Sequence, residues 1–265
     1  MKNVLVVGCN GGMGAAICAN LVQKGYIITG IDIQNSAKIV NINYFQGDVT
    51  DFEQLQAIYN QIALDGFFLH AIVYVAGIYR MNSLIEISPE RYQQVFDINF
   101  LGVYRVNKIF APLMRKGSRF VITSSELAPL NPLPFTGLYG ITKAAVEKYA
   151  FSLRMEVSLL GMHVSVIRPG AVKTQLLDDT MANINAFCDN TQLYKDNSKR
   201  FLKLVQSVES KHISPERLAK VVGRAVSAKR PRYVYNINRN IGLRLLSILP
   251  ARLQVFIINK LLKSK

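Results

Sequence analysis

Residues 4–32, VLVVGCNGGMGAAICANLVQKGYIITGID, decide the fold. Val4 to Val7 are apolar without alternation, the pattern of a central parallel strand buried on both faces. A turn of small residues follows, and then an Ala-rich stretch that predicts a helix ending near Lys24-Gly25, where glycine suits the C-terminal cap. Tyr26 to Asp32 is a second apolar run. Strand, glycine turn, helix and strand within 29 residues make one βαβ unit.

The same rhythm continues downstream. Asn43–Asp48, Leu69–Gly77, Arg119–Ser125 and His163–Gly170 are expected as strands three to six, and Arg232–Ile237 is a candidate last strand. Between them, Thr50 with Glu53 suggests a capping box, and Ser88-Pro89-Glu90 opens a long helix carrying Asn99. A proline-rich loop precedes a helix from Leu138 to about Leu160, and Ser214-Pro215-Glu216 starts another. Residues 171–212 are polar and weakly periodic, and suggest no definite element. The fold class expected is α/β, a single doubly wound parallel sheet with helices on both faces, plus a C-terminal amphipathic helical extension.

Composition narrows the function classes. The 265 residues suit one domain, with no repeat or linker dividing them. Cys9, Cys18 and Cys188 are odd in number and have no CxxC spacing. They read as reduced thiols in a cytoplasmic protein, not as a zinc site or disulfide framework. His70, His163 and His212 show no ligand spacing, so no metal is expected. Residues 1–7 already read as a strand, leaving no room for a signal peptide, and no apolar run is long enough to span a bilayer. Of the 32 Lys and Arg, 12 fall in the last 49 residues, which contain none of the 17 acids. The net charge of +15 is therefore mostly a property of the tail.

Three constellations carry chemistry. Gly8, Gly11, Gly12 and Gly14 lie between strand and helix, where small residues let a pyrophosphate approach the free N–H groups of a helix N-terminus. Asp32 ends strand two, 18 residues past Gly14, where a carboxylate can accept both ribose hydroxyls of an adenosine and repel a 2′-phosphate. No Arg or Lys sits just after Gly8 or immediately beside Asp32, which favours NAD(H) over NADP(H). Asp48-Val49 is placed to meet the adenine edge, although a strand-end aspartate also simply caps turns. Tyr139 and Lys143, four apart on a helix, share a face, and a nearby ammonium favours the ionised phenol.

GCNGGMG, Asp32, YVAG (Tyr74 to Gly77), Asn99, ITSS (Ile122 to Ser125), Tyr139-x-x-x-Lys143 and RPG (Arg168 to Gly170) with Thr174 together resemble the motifs of the short-chain dehydrogenase/reductase family, over residues 3 to about 175. The resemblance implies a Rossmann-like fold and an alcohol dehydrogenase or carbonyl reductase, with hydride passing between substrate carbon and nicotinamide. It carries a catalytic tetrad onto Asn99, Ser125, Tyr139 and Lys143. Tyr139 would be the acid/base and Ser125 would polarise the carbonyl. Lys143 would bind the nicotinamide ribose and lower the tyrosine pKa, and Asn99 would hold a water of the proton relay. Cofactor contacts fall on Gly8, Asn10, Gly11, Gly12, Met13, Gly14, Asp32, Ile33, Asp48, Val49, Ala76, Gly77, Pro169, Gly170, Val172 and Thr174, and on Asn99, Tyr139 and Lys143 themselves. Three departures stand out. Tyr74-Val75 replaces a pair of asparagines, losing a side chain that supports the sheet. Cys9-Asn10 replaces small or hydroxyl residues. Ser125 lies 14 residues before Tyr139, one more than is commonest, which leaves Ser124 open as the alternative.

The domain is expected over residues 1–237, with a substrate lid at about 171–212, and the basic extension over 238–265. Two short amphipathic helices are expected there, before and after Pro250. Their apolar faces either pack around the pocket or a dimer interface, or meet an anionic membrane surface. Leucine and isoleucine in place of stacking aromatics argue against nucleic acid. The expected partner is a lipophilic substrate, steroid-, retinoid- or long-chain-like, in a homodimer or homotetramer that is cytoplasmic or peripherally attached to membrane. The competing reading is a catalytically idle NAD(H)-binding regulator, or a membrane-associated scaffold, on the same fold.

Overall fold

The computed structural model describes residues 2–64, 66–209 and 212–263, with backbone alone at 175–182 and 207–209. Met1 of the expected first strand, residues 210–211 of the expected lid and the last two residues of the tail lie outside them.

Seven strands form one parallel sheet in the order β3-β2-β1-β4-β5-β6-β7. They are β1 (Lys2–Val7), β2 (Tyr26–Asp32), β3 (Asn43–Gln46), β4 (Leu69–Tyr74), β5 (Met114–Thr123), β6 (His163–Pro169) and β7 (Val234–Ile237). The helices are α1 (Gly12–Gln23), α2 (Phe52–Ile62), α3 (Pro89–Phe96), α4 (Gly102–Phe110), α5 (Gly137–Ser158), α6 (Gln175–Asn190), α7 (Lys195–Glu209), α8 (Pro215–Ser227), α9 (Ile241–Ile248) and α10 (Ala251–Leu262). The unbroken apolar runs are explained by the two cores. Leu5, Val7, Ile72, Tyr74, Phe120 and Ile122 enter one, packed with α2, α4 and α5. Val4, Val6, Ala71, Val73 and Val121 enter the other, packed with α1 and α8. Adjacent residues point to opposite faces, and both faces are covered.

Local details depart from the sequence reading in three places. The cap of α2 is Asp51, whose carboxylate accepts from Gln54 N; Thr50 instead donates its hydroxyl to Asp48 Oδ1 (2.8 Å). Residues 171–212 are largely helical, in α6 and α7, and their polarity reflects an excursion beyond the sheet. That excursion is pinned at its base. Val172 and Ile213 form a parallel bridge, Lys173 N donates to Ile213 O (2.9 Å) and Ile213 N to Ala171 O (3.1 Å). Finally, α3 and α4 are joined by a π-helical turn, Asp97–Leu101, which contains Asn99.

The strand order reverses between β1 and β4, the switch point where an open α/β sheet forms a crevice at its carboxyl edge. Gly8 sits there at φ +86°, and a Cβ on it would lie 2.6 Å from Ala76 N. Gly25, at φ +79°, has nothing within 4 Å of its would-be Cβ. Gly25→Ala should therefore cost only the left-handed strain, about 1–2 kcal/mol in urea unfolding. Gly8→Ala must also push the β4 loop away, and should cost at least about 2 kcal/mol more, within reach of unfolding the protein. Equal losses for the two would show that the crevice is not tightly packed.

Candidate active site

The crevice opens into a cavity of about 510 Å³. Met13, Ala76, Gly77, Thr123, Ser125, Tyr139, Lys143, Pro169, Gly170, Val172 and Thr174 line its inner end, and Phe201, Leu204, Val205, Leu243, Leu246, Ile257, Ile258 and Leu261 line much of the rest. The inner end is thus built by loops after β1, β4, β5 and β6 and by α5, and the outer part by α7, α9 and α10.

Both serines reach the cavity wall, but their hydroxyls are engaged differently. Ser124 Oγ donates to Glu147 Oε1 (2.9 Å), in a network where Arg168 also pairs with Glu147. Ser125 lines the cavity and shares a hydrogen bond with the Tyr139 hydroxyl. Lys143 is buried, its Nζ donating to Thr123 O (3.2 Å) and lying 5.6 Å from the Tyr139 ring centroid. Tyr79 packs edge-on against Tyr139, ring centroids 4.6 Å apart. The tyrosine is shifted by its burial and by Ser125. Burial pushes the phenol up to about 12, partly offset by the Ser125 hydrogen bond, and pushes the ammonium down to about 8.

Asn99 is fully buried behind this row. Its amide donates to Ile78 O (2.9 Å) and Thr142 Oγ1 (3.3 Å), and its Oδ1 accepts from Ile78 N (2.8 Å). The π turn that displays it is held by a residue that the sequence reading counted as a loss. The Tyr74 hydroxyl donates to Ile98 O (3.0 Å), a carbonyl of the turn, and a Cβ on Gly102 would come within 2.5 Å of that oxygen. A buried tyrosine needs a partner for its O–H, and an otherwise unexplained glycine inside a helix was the available signal.

The remaining cofactor candidates fall along the same edge of the sheet. The N-terminus of α1 has no side-chain cap, so no capping side chain takes its first N–H groups. Gly12 and Gly14 are required by the protein's own packing. Their would-be Cβ atoms meet Thr174 at 2.9 Å and Gly8 O at 1.9 Å, whereas that of Gly11 makes only an ordinary contact with Gly8 O at 3.6 Å. Asp32 Oδ2 accepts from Asn10 N (2.9 Å), which sets the carboxylate beside the glycine turn. Asn10 works inward: its amide donates to Ser36 O (2.8 Å) and its Oδ1 accepts from Lys38 N (2.9 Å), folding the loop after β2. Ile33 is exposed. Asp48 Oδ1 caps its own turn through Thr50 N and Oγ1, and Val49 is buried. Among the described residues no three His, Cys, Asp or Glu side chains gather as a metal site.

Short chain dehydrogenases match this sequence over residues 2–185. The chain belongs to that family. Short-chain dehydrogenases are oxidoreductases of hydroxyl and keto groups that bind NAD(P). Among characterised relatives, a 3-ketodihydrosphingosine reductase of Bacteroides thetaiotaomicron is 26 % identical over 229 residues, covering 86 % of this chain and 84 % of the relative. Human 17-beta-hydroxysteroid dehydrogenase type 2 is 28 % identical, over 87 % of this chain but only 65 % of its own length. Crystalline BdcA in complex with NADPH superposes with a TM-score of 0.71 at 20 % identity, covering 89 % of this chain and 92 % of its own.

A buried ammonium with a depressed pKa is a stability liability. The unfolded chain holds the Lys143 proton up to about pH 10.4 and the folded chain only to about pH 8, so between these values the unfolded state binds more protons. Wild-type stability should accordingly rise with pH across that window. Lys143→Met should be more stable than wild type at pH 7, by on the order of 2–3 kcal/mol, and should lose that pH slope. A variant less stable at pH 7 in thermal unfolding would show that the ammonium is well compensated.

Proposed function

We propose that the protein is an NAD(H)-dependent alcohol dehydrogenase/carbonyl reductase for lipophilic substrates. The observation that carries the reading is one cavity with Ser125, Tyr139 and Lys143 at its inner end and aliphatic and aromatic walls beyond. Lipophilicity also fits the similarity to a sphingoid-base reductase and a steroid dehydrogenase. The cofactor, when bound, supplies or accepts the hydride. The free N–H groups of α1 would hold its pyrophosphate, Asp32 its adenosine ribose, Lys143 its nicotinamide ribose, and Pro169–Val172 with Thr174 its nicotinamide end. Gly77 packs closely on Asn99, since a Cβ there would meet its Oδ1 at 3.1 Å.

In ketone reduction Ser125 donates a hydrogen bond to the carbonyl oxygen. Tyr139, protonated throughout the neutral range, gives that oxygen its proton. Asn99 holds the backbone of Ile78 beside the site and, with Lys143, lines the path by which the tyrosine is reprotonated. The domain would span residues 1–237, with α6 and α7 as the lid over the substrate. The lid is anchored by Glu86, which takes Thr191 Oγ1 and the N–H groups of Gln192 and Leu193. Members of the family are typically oligomeric. Exposed Leu101 and Tyr104 near α4, with Phe151 and Met155 on α5, suit a homodimer pairing through those helices. Three buried free thiols suit a cytoplasmic setting.

Tyr139→Phe should leave NADH affinity nearly unchanged and lower kcat by about 10² or more; ordinary turnover on a panel of hydrophobic ketones would remove Tyr139 from the proton path. Asp32→Ala should weaken NADH and narrow its advantage over NADPH. Wild-type protein that already prefers NADPH in titration would overturn the cofactor assignment.

A further inference from the structure

The C-terminal helices are fixed to the body, yet much of their apolar surface faces outward. Asn240, the N-cap of α9, donates its N–H to buried Glu126 (2.6 Å). Gln254 Nε2 donates to Leu249 O (2.7 Å) while its Oε1 accepts from Asn131 (3.2 Å), and Asn197 Nδ2 donates to Leu262 O (2.8 Å). The inner faces carry Leu243, Leu246, Ile257 and Ile258 into the cavity wall. Outward, α9 shows Ile241, Arg244, Leu245 and Ile248, the i, i+3, i+4, i+7 positions of one helical stripe. On α10, Val255 and Phe256 are about 60 % exposed, among Arg252, Lys260 and Lys263. Leu261 both lines the cavity and is 49 % exposed, so it stands at the rim.

A patch of this kind on a rigid support needs a partner. Its chemistry names one. Large aliphatic and aromatic side chains interspersed with Arg and Lys, on a segment with no acid after Glu216, match the boundary between acyl chains and anionic headgroups. Helices of 8 and 12 residues are too short to cross a bilayer but suited to lie on one.

We propose that the outer face of α9 and α10 docks onto an anionic phospholipid bilayer, with the cavity rim at Leu261 presented to the lipid. Ile241, Leu245, Ile248 and Phe256 enter the acyl boundary, and Arg244, Arg252, Lys260 and Lys263 lie among the headgroups. A lipophilic ketone then reaches the cavity from the bilayer without crossing water, a consequence that rests on the reductase reading, whereas the docking itself does not.

The chain contains no tryptophan, so Phe256→Trp installs a single reporter in the full-length protein. Its emission should shift to the blue and be quenched by brominated lipid on phosphatidylcholine–phosphatidylglycerol vesicles, and not on phosphatidylcholine alone. Added salt should weaken binding. Ile248→Glu with Phe256→Glu, and separately Arg252→Gln with Lys260→Gln, should each lower vesicle co-sedimentation by at least about tenfold, with unchanged thermal midpoint and NADH affinity. The first pair should raise KM for a vesicle-borne ketone and leave a water-soluble ketone unaffected. Wild type that never sediments with anionic vesicles, or binds neutral vesicles as well, overturns the docking. So does an oligomer that dissociates in lipid-free buffer on Ile248→Glu/Phe256→Glu, which gives the face to a second copy of the chain. Vesicle binding without turnover would leave the docking standing and sink the reductase instead.

Discussion

Everything at this site depends on how closely two backbones meet at the switch point. Gly8 and Ala76 end neighbouring parallel strands, and no side chain fits between them. That contact holds the glycine turn, the N-terminus of α1 and the β4 loop in one fixed crevice. Gly77, Asn99 and Lys143 are then positioned from the β4 side, and Thr174 closes against Gly12 from the β6 side. Both faces of the sheet are buried under helices, so the carboxyl edge is where strands one, four, five and six can offer polar groups to a ligand.

The groups gathered there are held at an energetic cost. A phenol and an ammonium sit in surroundings that resist charge on both, and each is pushed toward its neutral form. A protonated phenol beside a serine hydroxyl is a competent proton donor to an oxygen acceptor. Behind them the supports are specific. Tyr74 stabilises the π turn, Gly102 leaves room for Tyr74, and Asn99 fastens the turn to the β4 loop. Single π turns inside helices of this kind recur at functional sites.

The sheet was legible in the sequence because parallel strands buried on both faces write continuous apolar runs, and because Gly8, Gly25 and the Ser-Pro-Glu starts punctuate them. That Ser125, Tyr139 and Lys143 would line one cavity was legible through the family motifs, since a tyrosine and a lysine four apart also occur on ordinary surface helices. What spacing cannot express is which hydroxyl is already taken: Ser124 and Ser125 are adjacent in sequence and both line the cavity, but Glu147 engages the Ser124 hydroxyl while Ser125 meets Tyr139. The role of Tyr74 was not legible, since it lies in a hydrogen bond to a helix turn distant in sequence. Residues 171–212 showed no pattern because α6 and α7 pack on the cavity wall and on α10, with no sheet face to impose a period. The tail was read correctly as two helices, but which stripe faces outward depends on anchors at Glu126, Asn131 and Asn197, far away in sequence.

The pinned base of the α6–α7 excursion has a consequence for variation. Its two ends meet at Ala171–Lys173 and Ile213 through a bridge and two backbone hydrogen bonds that no side chain supplies. Closing a long segment at its neck makes the cost of altering its length small, growing only with the logarithm of the number of residues. The forty or so residues between can therefore be lengthened, shortened or exchanged as a cassette, while the strand-end groups keep their places. A differently shaped outer cavity can arise by replacing that cassette alone, with the strand-end part of the cavity inherited intact.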